Sequence, residues 1–240
     1  MTAAATPHPE PSRVRLEGLG PADDPQAGDR SLGADAVVFD LDGVLVDSER
    51  CWLEAERRGV EELGGRWGAA RADELFGTAP EAATRALASR VGLTGREVEL
   101  GHAVYRAALE VFAAEVIVMP GAAEVVRHLA ERVPVAVATN APAAIARISL
   151  DVAGLHDRLT ALVTVDDVEA GKPDPAVYLR AVDLLGVEPA RALAVDDSPA
   201  GLTAAVAAGL RTVAFGRPPR VPDGVVAAVG SWSQVTVRSR

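Results

Sequence analysis

Residues 36–49 read "AVVFDLDGVLVDSE", and this stretch decides the fold. Its first four residues form a short apolar run, rich in valine and bounded by acidic residues, which is typical of a buried parallel strand. Similar runs recur downstream as "VPVAVAT" (133–139), "ALVTV" (161–165), "RALAV" (191–195) and "RTVAF" (211–215). Alanine- and leucine-rich stretches of helical character lie between them. This alternation predicts βαβ units and an α/β domain with a Rossmann-like, doubly wound parallel sheet.

Residues 49–118 break this alternation and predict a second structural unit. Three helical patterns lie here, "CWLEAERRGVEELGG" (51–65), "PEAATRALASRVG" (80–92) and "GREVELGHAVYRAALEVFAAE" (95–115). Two of them, the first and the third, place apolar residues at three- and four-residue spacing, as amphipathic helices do. We therefore predict an α-helical cap domain at 49–118, inserted into an α/β core made of 34–48 and 119–240.

The composition argues against several classes of function. The net charge of −10 disfavours nucleic-acid and membrane-surface partners, since both require a basic patch. Cys51 is the only cysteine and the chain has four histidines, so it contains few residues that could ligate zinc. No apolar run approaches the roughly 20 residues of a membrane span. These features predict a soluble cytoplasmic protein, and they fit a monomer and a homodimer equally well.

The first 33 residues differ from the rest in composition. They carry prolines and charges where a signal peptide needs a continuous apolar segment. They also contain too little apolar surface to offset the entropy lost on ordering. We therefore predict that residues 1–33 form a disordered N-terminal tail.

Polar residues stand at the ends of the predicted strands or in the loops that follow. They are Asp40 and Asp42 in "FDLDG", Thr139 and Asn140 in "ATN", Lys172 in "GKPDP", and Asp196 and Asp197 in "VDDS". In open α/β sheets, ligands bind outside the carboxyl ends of the strands. These side chains are therefore expected to converge at one edge of the sheet.

The chemistry of this set points to phosphoryl transfer. Four clustered carboxylates repel one another unless a cation lies among them, and oxygen-only ligands suit Mg²⁺. A lysine ammonium beside a hydroxyl and an amide provides a cradle for phosphoryl oxygens. Lys172 is the only lysine among 24 basic residues, and its place in this loop is what a functional requirement predicts.

Simpler interpretations exist for each residue taken singly. A calcium-binding loop starting at Asp40 would need an acid or amide at Val44 and glycine at Leu45, so that interpretation fails. Asn140 is equally well a helix cap, and capping is favoured for Ser198. Asp196 and Asp197 fit ordinary turns as well. Their joint placement favours the functional interpretation.

The four motifs "FDLDGVLVDSE", "ATN", "GKPDP" and "VDDS" occur in the order found in the haloacid dehalogenase superfamily, and the chain resembles its branch with a helical cap. By that resemblance, Asp40 is the nucleophile that forms an aspartyl-phosphate. Asp42 is the general acid and then the general base. Thr139 and Lys172, assisted by Asn140, hold the phosphoryl group.

The same resemblance implies a metal ion and selects among activities. Mg²⁺ is expected on the Asp40 carboxylate, the Asp42 carbonyl oxygen and Asp197, with help from Asp196. Dehalogenases of the superfamily lack a counterpart of Asp42, and its phosphonatases need a lysine in the cap, where this chain has none. Both activities are therefore disfavoured.

β-Phosphoglucomutase is the nearest rival activity. Its characteristic cap histidine and arginine align with Trp52 and Pro80, and neither residue type matches. The resemblance therefore favours a phosphatase acting on a small phosphorylated metabolite, such as a sugar phosphate. A phosphohexomutase, or a catalytically silent binding protein on the same fold, remains the alternative.

The cap is expected to contact the substrate's leaving group and to exclude water. Candidate contacts are Glu49, Trp52, Thr78 and Arg85. Packing between cap and core is the favoured role for Trp52, and a solvated helix face is favoured for Arg85.

Overall fold

Six parallel strands form the central sheet of the computed structural model, which describes residues 14–67 and 80–239. The strands are β1 Val14–Leu19, β2 Arg30–Ala34, β3 Ala36–Phe39, β4 Val46–Asp47, β5 Ile117–Val118, β6 Val135–Ala138, β7 Ala161–Val163, β8 Ala192–Asp196, β9 Arg211–Phe215, β10 Val225–Val229 and β11 Thr236–Ser239. The helices are α1 Glu49–Glu62, α2 Pro80–Val91, α3 Glu97–Glu115, α4 Ala122–Ala130, α5 Ala143–Val152, α6 Ala176–Leu185 and α7 Pro199–Ala207.

The central sheet has the strand order β10-β9-β8-β3-β6-β7, and every neighbouring pair is parallel. The chain runs outward from β3 in one direction and then returns to begin the other half at β8. This is the doubly wound arrangement, and its direction changes between β3 and β8. The predicted fold class is confirmed, and the sequence-predicted strands at 36–39 and 211–215 match residue for residue.

Both faces of the sheet are buried under helices. Alternate residues of β3 point to opposite sides, so Val37 and Phe39 pack with helices α4 and α5. Ala36 and Val38 pack with α6 and α7 on the other face. Burial on both faces explains why β3 has an uninterrupted apolar sequence.

A second, three-stranded antiparallel sheet lies beside the first, in the order β11-β1-β2. The predicted disordered tail is therefore wrong for residues 14–33, and residues 1–13 lie outside the described part of the chain. In β1, Val14, Leu16 and Leu19 are at most 1% exposed and join the main core. Their partner β11 lies at the opposite end of the chain, so composition within the first 33 residues could not reveal the pairing.

Helices α1, α2 and α3 lie between β4 and β5, which pair at the point where the chain leaves and re-enters the core. Gly59 lets α1 lie close against α3, because a Cβ there would be 2.7 Å from the backbone nitrogen of Val104. The outer ends share a small cluster that includes Val60, Leu87 and Leu100. Within residues 14–67 and 80–239, none of the helices combines the length and the apolar character required to cross a bilayer.

Candidate active site

The candidate site lies where β3 and β8 end side by side. Phe39 and Val195 are register partners, and the backbone N–H of Asp40 donates to the carbonyl of Val195 at 2.8 Å. The residues that follow these strands therefore emerge at the same edge. This is the point at which the winding of the sheet reverses, where ligands bind in folds of this kind.

Lys172 lies between two carboxylates at this edge. Its Nζ donates to Oδ1 of Asp40 at 2.7 Å and to Oδ2 of Asp196 at 2.8 Å. The lysine is 2% exposed, and Asp196 is fully buried. A single buried cation thus joins the first motif to the last, although 132 residues separate Lys172 from Asp40.

Burial and charge together set the protonation of this group. Burial alone opposes protonation of Lys172, but the charges of Asp196 and Asp40 outweigh it and hold its pKa above the ordinary value. Burial raises the pKa of Asp40 to about 7, against the opposing effect of Lys172, and the neighbouring carboxylates add to the rise. The charge of Asp40 is therefore costly unless a further cation offsets it.

Asp196 is saturated with hydrogen-bond donors. Its Oδ2 accepts from Lys172 and from the hydroxyl of Tyr178 at 2.6 Å, and its Oδ1 accepts from the backbone N–H and hydroxyl of Ser198, each at 2.9 Å. Tyr178 was not among the sequence-predicted residues. Its position in the apolar pattern of α6 is indistinguishable from that of a core residue.

Asp197 faces the same space with fewer donors. Burial, together with repulsion from Asp196 and Asp40, raises its pKa to about 8. Carboxylate oxygens of Asp40, Asp196 and Asp197 all lie within 4.8 Å of one another, so these residues could hold a metal ion. Gly43 makes room for this cluster, since a Cβ there would lie 1.9 Å from Oδ2 of Asp197.

Asp42 is surrounded by neutral donors. Trp52 donates its indole N–H to Oδ1 of Asp42 at 3.4 Å. Burial raises the pKa of Asp42, and the nearby polar side chains of Ser48, Trp52 and Thr139 oppose that rise. The raised pKa favours the protonated form that a general acid needs.

Asn140 contacts the backbone of Lys172. Its Oδ1 accepts from the Lys172 N–H at 2.8 Å, and its Nδ2 donates to the Lys172 carbonyl at 3.2 Å. Helix α5 begins at Ala143 after Pro142, so Asn140 is not its cap. These two bonds orient the loop that carries Lys172. Ser198 does cap helix α7, accepting from Gly201 N–H at 3.0 Å, as the sequence predicted.

Trp232 supports the loop that carries Asp40 and Asp42. Its indole N–H donates to the carbonyl of Val44 at 2.7 Å, and its ring packs against Phe39 and Phe215. Sequence reasoning missed this contact, because 188 residues separate the partners. The loop that follows β3 is therefore supported by the C-terminal part of the chain.

The candidate cap contacts fall in different places. Trp52 reaches Asp42, whereas Glu49 and Arg85 are exposed on α1 and α2, and Arg85 lies near Glu97. Thr78 lies outside the described residues. Of the four candidates, the structure thus brings Trp52 to the site, while Arg85 has the solvated position that the sequence favoured.

Comparisons with known proteins agree with this geometry. A family model described as haloacid dehalogenase-like hydrolase matches residues 34–209. Validoxylamine A 7'-phosphate phosphatase of Streptomyces hygroscopicus subsp. limoneus is 37% identical over 176 residues, which are 72% of this chain and 82% of that protein. Hexitol phosphatase A of Escherichia coli strain K12 is 30% identical over 217 residues, covering 83% and 92% of the two chains.

A solved structure shows the same fold. The crystal structure of CbbY from Rhodobacter sphaeroides in complex with phosphate matches 83% of this chain and 95% of its own, with a TM-score of 0.74 and 24% identity.

Proposed function

The chain belongs to the haloacid dehalogenase-like hydrolases and is a phosphoric monoester hydrolase of that family, and we propose that it is a Mg²⁺-dependent phosphatase. Its substrate is a small phosphomonoester, a phosphorylated sugar or polyol, and its reaction passes through an aspartyl-phosphate on Asp40. The observation that carries this proposal is the buried Lys172 held between Asp40 and Asp196, with Asp42 beside it.

In the first half-reaction, a carboxylate oxygen of Asp40 attacks phosphorus. The new bond joins Asp40 to the phosphoryl group, and the bond from phosphorus to the ester oxygen breaks. The Lys172 ammonium has three N–H donors. Among the described residues, two of them donate to Asp40 and Asp196, so the third can donate to a phosphoryl oxygen. The ammonium therefore lies where it offsets charge on both the nucleophile and the transferring group.

Asp42 donates a proton in the first half-reaction and accepts one in the second. Its carboxyl proton passes to the departing ester oxygen, which leaves as an alcohol. The resulting carboxylate takes a proton from water, whose oxygen attacks the aspartyl-phosphate. Inorganic phosphate is released, and Asp40 returns to its carboxylate form while Asp42 regains its proton.

A divalent cation fits the remaining acids. Oxygen ligands that include one or two carboxylates suit Mg²⁺. Asp40 and Asp197 would supply the carboxylates, and the Asp42 carbonyl oxygen would be a third protein ligand. When bound, the ion neutralises charge on the phosphoryl oxygens and on Asp40. Asp196 supports the site through Lys172, because protein donors already occupy both of its oxygens.

Helices α1–α3 serve in this proposal as the cap that excludes water and contacts the leaving group. Support comes from Trp52, which joins α1 to the core carboxylate Asp42. Of the two relatives named above, one is named as a phosphatase of validoxylamine A 7'-phosphate and the other as a hexitol phosphatase. A hexitol carries several hydroxyl groups, which favours a polyhydroxylated leaving group here. Trp52 also stands where a mutase would have its cap histidine, which favours hydrolysis over isomerisation.

The test is phosphate release from a panel of sugar phosphates, polyol phosphates, phosphoglycolate and nucleotides, with Mg²⁺ and with a chelator. Asp40→Asn serves as the blank, because it keeps the shape of the side chain and removes the nucleophile. We expect Mg²⁺-dependent release that disappears in the variant. Equal release by Asp40→Asn would remove Asp40 from its role, and interconversion of sugar phosphate isomers without release would identify a mutase instead.

A further inference from the structure

Trp52 makes a contact that its helix position alone does not explain. It lies in the first turn of α1, where its backbone N–H donates to the carbonyl of Ser48 at 3.0 Å. Its ring packs edge-on against Phe112 of α3, with ring centroids 4.9 Å apart. Packing would be satisfied by any large apolar ring, yet the indole N–H points to Oδ1 of Asp42.

The three polar side chains around Asp42 differ in which protonation state of each carboxyl oxygen they accept. The hydroxyls of Ser48 and Thr139 can donate or accept, so they tolerate a carboxyl group in either orientation. The indole N–H of Trp52 can only donate, and it therefore requires Oδ1 to be an acceptor. A proton carried by Asp42 is then favoured on Oδ2, which leaves Oδ1 as the carbonyl oxygen and the better acceptor.

We propose that Trp52 is a positioning residue for Asp42, holding Oδ1 so that Oδ2 exchanges the proton with the ester oxygen. The inference rests on the proposed function and deepens it. It assigns to the inserted helices a part in the proton transfer of the first half-reaction, in addition to substrate contact. Trp52 itself forms and breaks no bond with the substrate.

The test compares two kinds of leaving group in wild-type protein and in Trp52→Phe. The variant keeps a ring against Phe112 and loses the N–H donor. An alkyl phosphate releases an alkoxide oxygen that needs a proton, whereas p-nitrophenyl phosphate releases a stable phenolate that does not. The parameter kcat/KM reports the steps up to formation of the aspartyl-phosphate, so the later role of Asp42 as a base does not enter the comparison.

We expect Trp52→Phe to lower kcat/KM about tenfold for the best substrate in a panel of glycerol, ribose, glucose and sorbitol phosphates, the size of one intramolecular hydrogen bond. The value for p-nitrophenyl phosphate should change less than about twofold, since its leaving group needs no acid. Trp67→Phe is the matched control, because Trp67 packs with the outer cluster around Val60 and Leu87. Both substrates should be unaffected by that change.

The outcomes separate this inference from the proposed function. An equal loss on both substrates would show that Trp52 acts only through packing, and no loss on either would show that the N–H is irrelevant; each overturns the inference while hydrolysis stands. If wild-type protein releases phosphate from none of these esters, the proposed function is wrong, and the inference fails with it.

Discussion

Tyr178 donates its buried hydroxyl to Oδ2 of Asp196 at 2.6 Å, the same oxygen that accepts from Lys172. The Nζ atom of Lys172 also lies 5.0 Å from the centroid of the tyrosine ring. Burial, with the nearby charges of Asp196 and Asp40, raises the pKa of Tyr178 well above its ordinary value, so the hydroxyl remains a donor. Helix α6 thus holds the ion pair in place through Tyr178.

Tyr178→Phe should lower the free energy of unfolding by about 1–2 kcal/mol, because a buried carboxylate loses one of its donors. Urea titration measures the change. Tyr105→Phe is the matched control, since Tyr105 is the other tyrosine and is 38% exposed on α3. Equal stability of the two variants would show that the Tyr178 hydroxyl contributes nothing.

Asp196 and Asp197 are expected to respond differently to replacement by asparagine. Asp196→Asn removes the charge that pairs with buried Lys172 and should cost about 3 kcal/mol or more of stability, as breaking a buried ion pair does. Asp197→Asn removes a carboxylate whose pKa is already raised to about 8, so the metal-free protein should be no less stable.

Mg²⁺ titration of thermal unfolding distinguishes these two roles. Stabilisation of wild-type protein by Mg²⁺ should be lost in Asp197→Asn. The assignment would be contradicted if Asp197→Asn retained the Mg²⁺ response and Asp196→Asn was as stable as wild type.

Replacing Lys172 by methionine or by arginine should impair phosphatase activity. Lys172→Met leaves Asp40 and Asp196 without a cation, and we expect kcat to fall at least about 100-fold. Lys172→Arg restores the charge but must place a wider planar group in a space where the side chain is 2% exposed. Phosphate release and circular dichroism on both variants measure activity and folding. An active, well-folded arginine variant would show that charge alone is sufficient.

Glu56 gives a pH-dependent prediction. Burial raises its pKa from the model-compound value of 4.5 to about 7, so its charged form is disfavoured in the folded state. Because the folded pKa is the higher one, Glu56 costs stability above pH 7, and the cost declines as the pH falls towards 4.5. Glu56→Gln should therefore raise the free energy of unfolding by roughly 1–3 kcal/mol near pH 8 and by less near pH 5.

Urea titrations at the two pH values check this expectation, with Glu110→Gln as control, since the side chain of Glu110 is 79% exposed. A stabilisation that is the same at both pH values would rule out titration of Glu56 as its cause.

The N-terminal strand is expected to be part of the folded unit. Leu16 of β1 is 1% exposed and packs in the main core, so Leu16→Ala should cost about 2–5 kcal/mol. Arg15→Ala, on the opposite face of the same strand, should cost less than about 1 kcal/mol, because Arg15 makes an exposed hydrogen bond to Ser31. Thermal unfolding of both variants decides between this view and a dispensable tail.

Local patterns in the sequence were sufficient to predict the parallel sheet and the edge that carries the site. Strands such as β3 and β9 can be recognised in the sequence, because a strand that is buried on both faces consists mainly of apolar residues. The carboxyl ends of parallel strands meet at one edge, so Asp40 and Asp196 could be placed together before their contacts were known. The structure brings them within reach of the same lysine, as that reasoning expected.

Tertiary structure alone decided the contacts around these residues. Tyr178, Trp232 and Leu16 resemble ordinary core residues in sequence, and only packing shows that the first two also donate hydrogen bonds to Asp196 and Val44. Pairing of β1 with β11 joins segments as far apart in sequence as Val14 and Ser239. Residue type and spacing determine which chemistry is available, whereas a hydrogen bond between distant segments depends on how the whole chain packs, and that information is absent from any local stretch.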